Sequence, residues 1–365
     1  MTSRRRFVAG LAAAALAAPA RAAAAPASMG PTLAEAARKA GLLFGASIGP
    51  EAFADPAYAD LYRREAEVLV TDVALKFDWL RPTPERFEFG PADAVFDAAR
   101  ANGKQVRGHT LIWNDNQPDW LKRLSGAEIE RVFDAHIETV ASRYAGRLHS
   151  WDVVNEPFWP MHGKPGGWRD GPWFSAMGPA YVERAFRRVR AVDKTAKLTL
   201  NEAQCDNDHE WGRSIRPPLR DLVDRLLDAG APLDAIGLQS HLQPQWPSNY
   251  PEFARYVDAF GRKGLAVYLS EFDVNDEAFP ADPARRDAEA AKTTRAFLDA
   301  ALAVPAVAMV VTWQLSDRHT WYRQIRRSWA LRRREPRTLP FDADYRPKPM
   351  REAMIAAFAA RLRRP

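Results

Sequence analysis

Two glutamates each stand at the end of an apolar run. In SWDVVNEPFW (150–159) the chain passes from Trp151 through Asp152, Val153, Val154 and Asn155 into Glu156, and in AVYLSEF (266–272) it reaches Glu271. An ionised carboxylate buried without a partner costs several kcal/mol, so a carboxylate that closes a buried strand needs a reason to be there. Two carboxyls facing one cleft push each other's proton affinities apart, and one stays protonated while the other is ionised. That pairing suits the breaking of a glycosidic bond. One acid protonates the departing oxygen, and the other attacks or activates water.

Other polar and aromatic residues fall at similar places. Lys76 follows the second apolar run, and His109 and Trp113 lie in the third. Asn155 precedes Glu156, and Gln239 and His241 close the sixth run. Asp273 follows Glu271, and the eighth run carries Trp313 and Gln314, followed by Asp317 and Trp321. A metal site built from His109, His241, Glu156 and Glu271 is the rival reading. No H-x-H or H-E-x-x-H spacing supports it, and no G-x-S-x-G elbow supports a serine triad. No metal and no cofactor is expected.

Eight apolar runs supply these ends: 42–48, 68–75, 105–113, 148–156, 197–203, 235–241, 266–272 and 307–315. Runs of this length flanked by Gly or Pro read as buried parallel strands. Amphipathic stretches lie between them, among them 90–103, 179–193 and 285–304. Eight strands alternating with helices predict an α/β fold, a (β/α)8 TIM barrel in a single domain over about 31–362. A doubly wound sheet would show a glycine-rich phosphate turn after its first strand, and GASIGPEAF does not match one. In a barrel the strands' C-terminal ends carry the active site. Strands four and seven lie across its mouth, which lets Glu156 and Glu271 converge.

The chain has 365 residues, 47% hydrophobic and 27% charged, with twelve tryptophans and a formal net charge of +6. Much of that charge sits in MTSRRRFVAGLAAAALAAPARAAAA. A basic start, an apolar run from Val8 to Ala18, and small residues at Ala20 and Ala22 predict a signal peptide over 1–22. Its SRRRF carries the paired arginines of the twin-arginine export route, toward the periplasm or the exterior. Cleavage after Ala22 takes away four arginines and no acid, leaving +2. A nucleic-acid partner is therefore not expected, and the apolar run is too short for a membrane span. Cys205 stands alone and cannot form an internal disulfide; it reads as a core thiol. No dimer signature is present, and a monomer is expected.

RGHTLIW, WDVVNEP, IGLQSHL, LSEFDV and VTWQLSD occur in this order, with LPFDADYRPKP near the end. In these stretches the sequence resembles glycoside hydrolase family ten, the endo-β-1,4-xylanases. The resemblance implies a retaining mechanism on xylan or xylo-oligosaccharides, with Glu156 as general acid/base and Glu271 as nucleophile. It further implies that Asn155 bonds the sugar's 2-hydroxyl and that His241 holds Glu271 ionised. His109 and Gln239 would line the subsite of the cleaved sugar, and Trp313 and Trp321 would cover that sugar and its neighbour. Lys76 and Trp113 would complete the non-reducing side.

The sequence departs from that family's pattern at Val73, which replaces a sugar-contacting Asn, at Asn114, which replaces a His, and at Ala203, which replaces a stacking Tyr. These changes imply a shifted preference for chain length or decoration. The Arg-rich stretch 323–337 reads as a solvated loop, with a sharper alternative in which an arginine meets uronic acid side groups. Two other readings stand beside the xylanase. One is a related barrel glycosidase acting on short or decorated oligosaccharides or on another β-1,4-glucan. The other is a carbohydrate-binding protein with a dead site, against which the presence of both glutamates argues.

Overall fold

The computed structural model describes residues 30–324 and 334–363. The signal-peptide segment 1–22 and residues 325–333 of the Arg-rich stretch lie outside the described residues. The eight apolar runs become the eight staves of a closed parallel barrel. Its strands are β1 (Leu43–Ser47), β2 (Val68–Val70), β3 (Gln105–Gly108), β4 (Ile112–Trp113), β5 (Ser150–Asn155), β6 (Lys197–Glu202), β7 (Ala235–Leu238), β8 (His241–Leu242), β9 (Ala266–Val274) and β10 (Val307–Thr312). The ring runs β10-β1-β2-β3-β5-β6-β7-β9 and closes by β9 pairing with β10. β4 pairs with β5 and β8 with β9, so these short strands continue the third and sixth staves after an interruption.

Strand alternation separates two cores. Val68 and Val70 on β2 and Met309 and Val311 on β10 join Ala235, Tyr268 and Trp313 in a small cluster made only of strand residues and strand ends. Their neighbours Leu69 and Val310 point the other way, into a much larger core shared with the helices. This is the period-two consequence of the pleat. The surrounding helices are placed by caps and apolar stripes. Asp282 caps the helix Pro283–Ala301 through the backbone N–H of Arg285, and that helix buries Ala290, Phe297, Leu298 and Ala301. Phe297 stacks on Phe272 of β9, ring centroids 5.7 Å apart. Truncating such a ring to Ala costs about 3–5 kcal/mol. Between the barrel and the helices Gly108 is required by close approach, because a Cβ there would lie 2.3 Å from the buried ring of Trp151.

The second strand is shorter than its apolar run. It ends at Val70, and Asp72 turns the chain with φ of 45°. Left-handed backbone recurs just beyond the strands at Glu156 (47°), Gln204 (63°), Ser240 (63°) and Gln314 (74°). Each such non-glycine residue costs roughly 1–2 kcal/mol. Strain of this kind gathers where side chains must be aimed, and here it gathers at the C-terminal rim.

Candidate active site

A cleft of about 750 Å³ opens at that rim. The ten residues to which the family resemblance gives a role line it: Lys76, His109, Trp113, Asn155, Glu156, Gln239, His241, Glu271, Trp313 and Trp321; Gln314 lines it too, and Asp273 and Asp317 do not.

Glu271 is 5% exposed on β9. The side-chain amide of Asn201 donates to its Oε1 at 2.7 Å, and His241 Nε2 lies 3.2 Å from Oε2. The other nitrogen of His241 lies 2.8 Å from Asp273 Oδ2. Glu271 and Asp273 are two residues apart on one strand, so they share a face, and the imidazole sits between them. Burial works against charge on His241, but Asp273 and Glu271 outweigh it and push its pKa up to about 10. The ring is therefore an imidazolium that donates to both carboxylates. Asp273 also accepts from Trp321 Nε1 at 2.8 Å and from the Tyr322 hydroxyl at 3.2 Å. Burial pushes the Glu271 carboxyl up. The His241 hydrogen bond and the nearby His109, His241 and Lys76 more than offset this and hold it below the usual carboxylate range.

Glu156 reaches the cleft from the opposite part of the ring. Strand alternation does not aim it, contrary to the simplest reading of the sequence: the left-handed turn at Glu156 itself does, with its N–H donating to Asn201 O at 2.8 Å. Gln239 Nε2 donates to Glu156 Oε1 at 2.7 Å. Arg169 donates to Oε2 through its terminal nitrogen and to the Glu156 carbonyl through Nε at 2.9 Å. The Arg169 guanidinium also lies 4.2 Å from the ring centroid of Trp159, which lines the cleft beside Ala203.

Amide side chains tie the two glutamates together. Asn201 Nδ2 donates to Asn155 Oδ1 at 2.8 Å as well as to Glu271, and Gln239 Nε2 stands 3.5 Å from the same Asn155 oxygen. Amides thus connect Glu156 to Glu271 through Gln239, Asn155 and Asn201. His109 Nδ1 lies 3.0 Å from Asp152 Oδ2, and Arg107 holds the other oxygen of Asp152 deep in the barrel. His109 meets Trp313 edge to face at 5.0 Å. The Lys76 ammonium is 5.3 Å from the Trp113 ring centroid and 5.7 Å from that of Trp313.

Asn114, one of the three departures, is outside the cleft lining. It is buried, and its Oδ1 accepts from the backbone N–H of Trp173 (3.1 Å) and Phe174 (3.3 Å), at the start of the helix Pro172–Met177. Val73 and Ala203 do line the cleft. Of the Arg-rich stretch, Arg323 lines it too, paired with Glu335 at 2.5 Å. Arg334 and Arg337 instead fasten their own segment, to the carbonyl of Phe279 at 2.9 Å and to Asp287. Cys205 is a buried free thiol.

Sequence reasoning missed Arg169, Asn201 and Glu202. Asn201 and Glu202 end the fifth apolar run, so the rule that found the other polar strand ends would have found them. Burial, with Glu156 nearby, pushes the Glu202 carboxyl well above its usual range, and its oxygens accept from Ala203 N and Phe158 N at 2.8 and 3.2 Å. Arg169 lies in a glycine- and tryptophan-rich loop that has no periodicity to read.

A closed parallel barrel whose rim brings two glutamates into one carbohydrate-sized cleft lined by tryptophans defines the class: a glycoside hydrolase of the (β/α)8 type. The chain matches the family model for glycosyl hydrolase family 10 over residues 32–357. A β-1,4-xylanase of Dictyoglomus thermophilum is 30% identical over 303 residues, covering 80% of this chain and 82% of the relative. Endo-1,4-β-xylanase B of Thermotoga neapolitana is 28% identical over 299 residues, covering 80% of each. The crystal structure of xylanase 10B from Thermotoga petrophila RKU-1 in complex with xylobiose superposes with a TM-score of 0.80 at 26% identity, covering 92% of this chain and 99% of that one. The protein belongs to glycosyl hydrolase family 10.

Proposed function

We propose that this protein is a retaining endo-1,4-β-xylanase, working as a monomer on internal β-1,4 bonds of xylan and xylo-oligosaccharides, with Glu271 as nucleophile and Glu156 as general acid/base. The observation that carries the assignment is the unequal surroundings of the two glutamates. Glu271 is buried and held ionised by an imidazolium and an amide. Glu156 is reached from a separate strand and is 12% exposed at its side chain. In the first step a Glu271 oxygen bonds to the anomeric carbon as the glycosidic C–O bond breaks. Glu156 gives its proton to the leaving oxygen. In the second step Glu156 takes a proton from water, whose oxygen bonds to the anomeric carbon and releases Glu271 as carboxylate. Asn155, with its amide oxygen already engaged by Asn201, has its NH2 available for a sugar hydroxyl.

Glu271→Gln keeps size and one acceptor but removes the nucleophile, and turnover should vanish with the melting temperature preserved. Glu156→Gln should lower kcat/KM on xylan by about 10²–10⁴ while sparing kcat/KM on an aryl β-xylobioside, whose phenolate leaves unaided in the first step. NMR of the first-formed products should show the β-anomer. An active Glu271→Gln protein, or an initial α-product, refutes the assignment. Export through the twin-arginine route is part of the same proposal, drawn from Ser3–Phe7. Replacing Arg4 and Arg5 by Lys should leave the enzyme in the cytoplasm on fractionation, and unchanged export would refute it.

A further inference from the structure

Among the described residues eleven tryptophans occur, and ten of them pack against another ring or a cation; Trp79 does neither. It is 59% exposed. Exposed apolar side chains scattered singly need no explanation, and Phe53, Met161 and Leu362 are of that kind. Trp79 differs because it lines the cleft.

Its presentation is enforced by the short helix Phe77–Leu80. Phe77 and Leu80 are buried, three residues apart and so on one face. Phe77 packs on His136 at 4.3 Å and on Trp173 at 5.3 Å. With 77 and 80 anchored, residue 79 faces outward. Lys76, immediately before the helix, points to the catalytic centre between Trp113 and Trp313. Trp79, three residues further on, lines the same cleft but lies outside the ring cluster around Lys76. A rigidly mounted indole with an uncovered face suits one occupant in a polysaccharide cleft, the C–H face of a pyranose ring. β-Xylopyranose presents axial C–H bonds on both faces and has no exocyclic carbon to obstruct the stack.

We infer that Trp79 is a sugar-binding platform for a xylosyl unit beyond the two nearest the cleavage point, on the Lys76 side of the cleft, and so sets the preference for longer chains. It supplies binding on the wall where Val73 lacks a side-chain amide. The inference rests on the xylanase reading above, and it makes Trp79 a specificity residue and not a catalytic one.

The test compares wild type, Trp79→Ala and Trp79→Phe on a nitrophenyl β-xylobioside, xylohexaose and linear xylan, with melting temperatures alongside. Trp79→Ala should lose about ten-fold in kcat/KM on xylohexaose and xylan and stay within about two-fold of wild type on the aryl xylobioside, with Trp79→Phe recovering most of the loss. Equal loss on all three substrates, or none on any, overturns the inference while leaving the xylanase reading in place. A wild-type protein inert on all three overturns that reading, and the inference with it.

Discussion

Replacing His241 by Asn removes the one cation placed between Glu271 and Asp273. In the wild type the imidazolium donates at 3.2 Å to Glu271 and at 2.8 Å to Asp273, and its pKa of about 10 keeps it charged throughout the working range. A hydrogen bond from a charged donor contributes about 1.5–3 kcal/mol. At about 1.4 kcal/mol per pKa unit, its loss raises the Glu271 carboxyl by about one to two units. The sign follows from what remains. Burial is the largest influence on Glu271 and pushes it up, and His241 is the leading opponent. As the proposed nucleophile Glu271 must be ionised to attack, so the acid limb of kcat/KM reports its titration in the free enzyme. Wild type should stay active below the usual carboxylate range, whereas His241→Asn should lose activity about one to two pH units higher. Asp273→Asn, which removes the group that does most to keep His241 charged, should move the limb the same way. The assay is kcat/KM against pH on an aryl xylobioside. An acid limb that stays in place in both variants would refute the electrostatic role given to His241, even if kcat fell.

Two further perturbations test the barrel's interior and the helical layer around it. A Cβ at Gly237 would lie 2.1 Å from Asn201 Oδ1 and 3.2 Å from Arg107 Nη2. Gly237→Ala should therefore displace the amide that joins Asn155 to Glu271, lowering kcat by up to about a hundred-fold; an unchanged kcat in a folded variant would show that Asn201 is not needed. His136 is buried against Phe77, and burial, with Arg81 nearby, lowers its pKa to about 3. The unfolded chain therefore binds a proton below about pH 6.5 that the folded protein refuses, and stability should be full above that pH and fall as pH drops toward 3. Denaturant midpoints measured between pH 7 and 4 should decline less steeply in His136→Leu than in wild type, and parallel declines would contradict this account.

Strand periodicity and the polar ends of apolar runs locate a barrel rim without coordinates. A buried strand must be apolar along its length, so polar residues at its end stand out. That contrast exposed Glu156, Glu271, Gln239 and His241, and counting the strands placed 156 and 271 across one mouth. Family resemblance assigned the chemistry. The sequence was silent where geometry depends on a single dihedral or on an irregular loop. Only the folded chain shows that Glu156 is turned into the cleft by its own left-handed backbone, and that Asn114 caps a helix instead of facing sugar. Arg169 comes from a loop thirteen residues beyond Glu156 to meet it. Trp79 is one of twelve tryptophans by composition, and it becomes a distinct site because tertiary packing anchors Phe77 and Leu80 and leaves residue 79 facing the groove. Local patterns report which residues a strand must bury. Side-chain direction at a rim is set by long-range contacts, which no window of sequence contains.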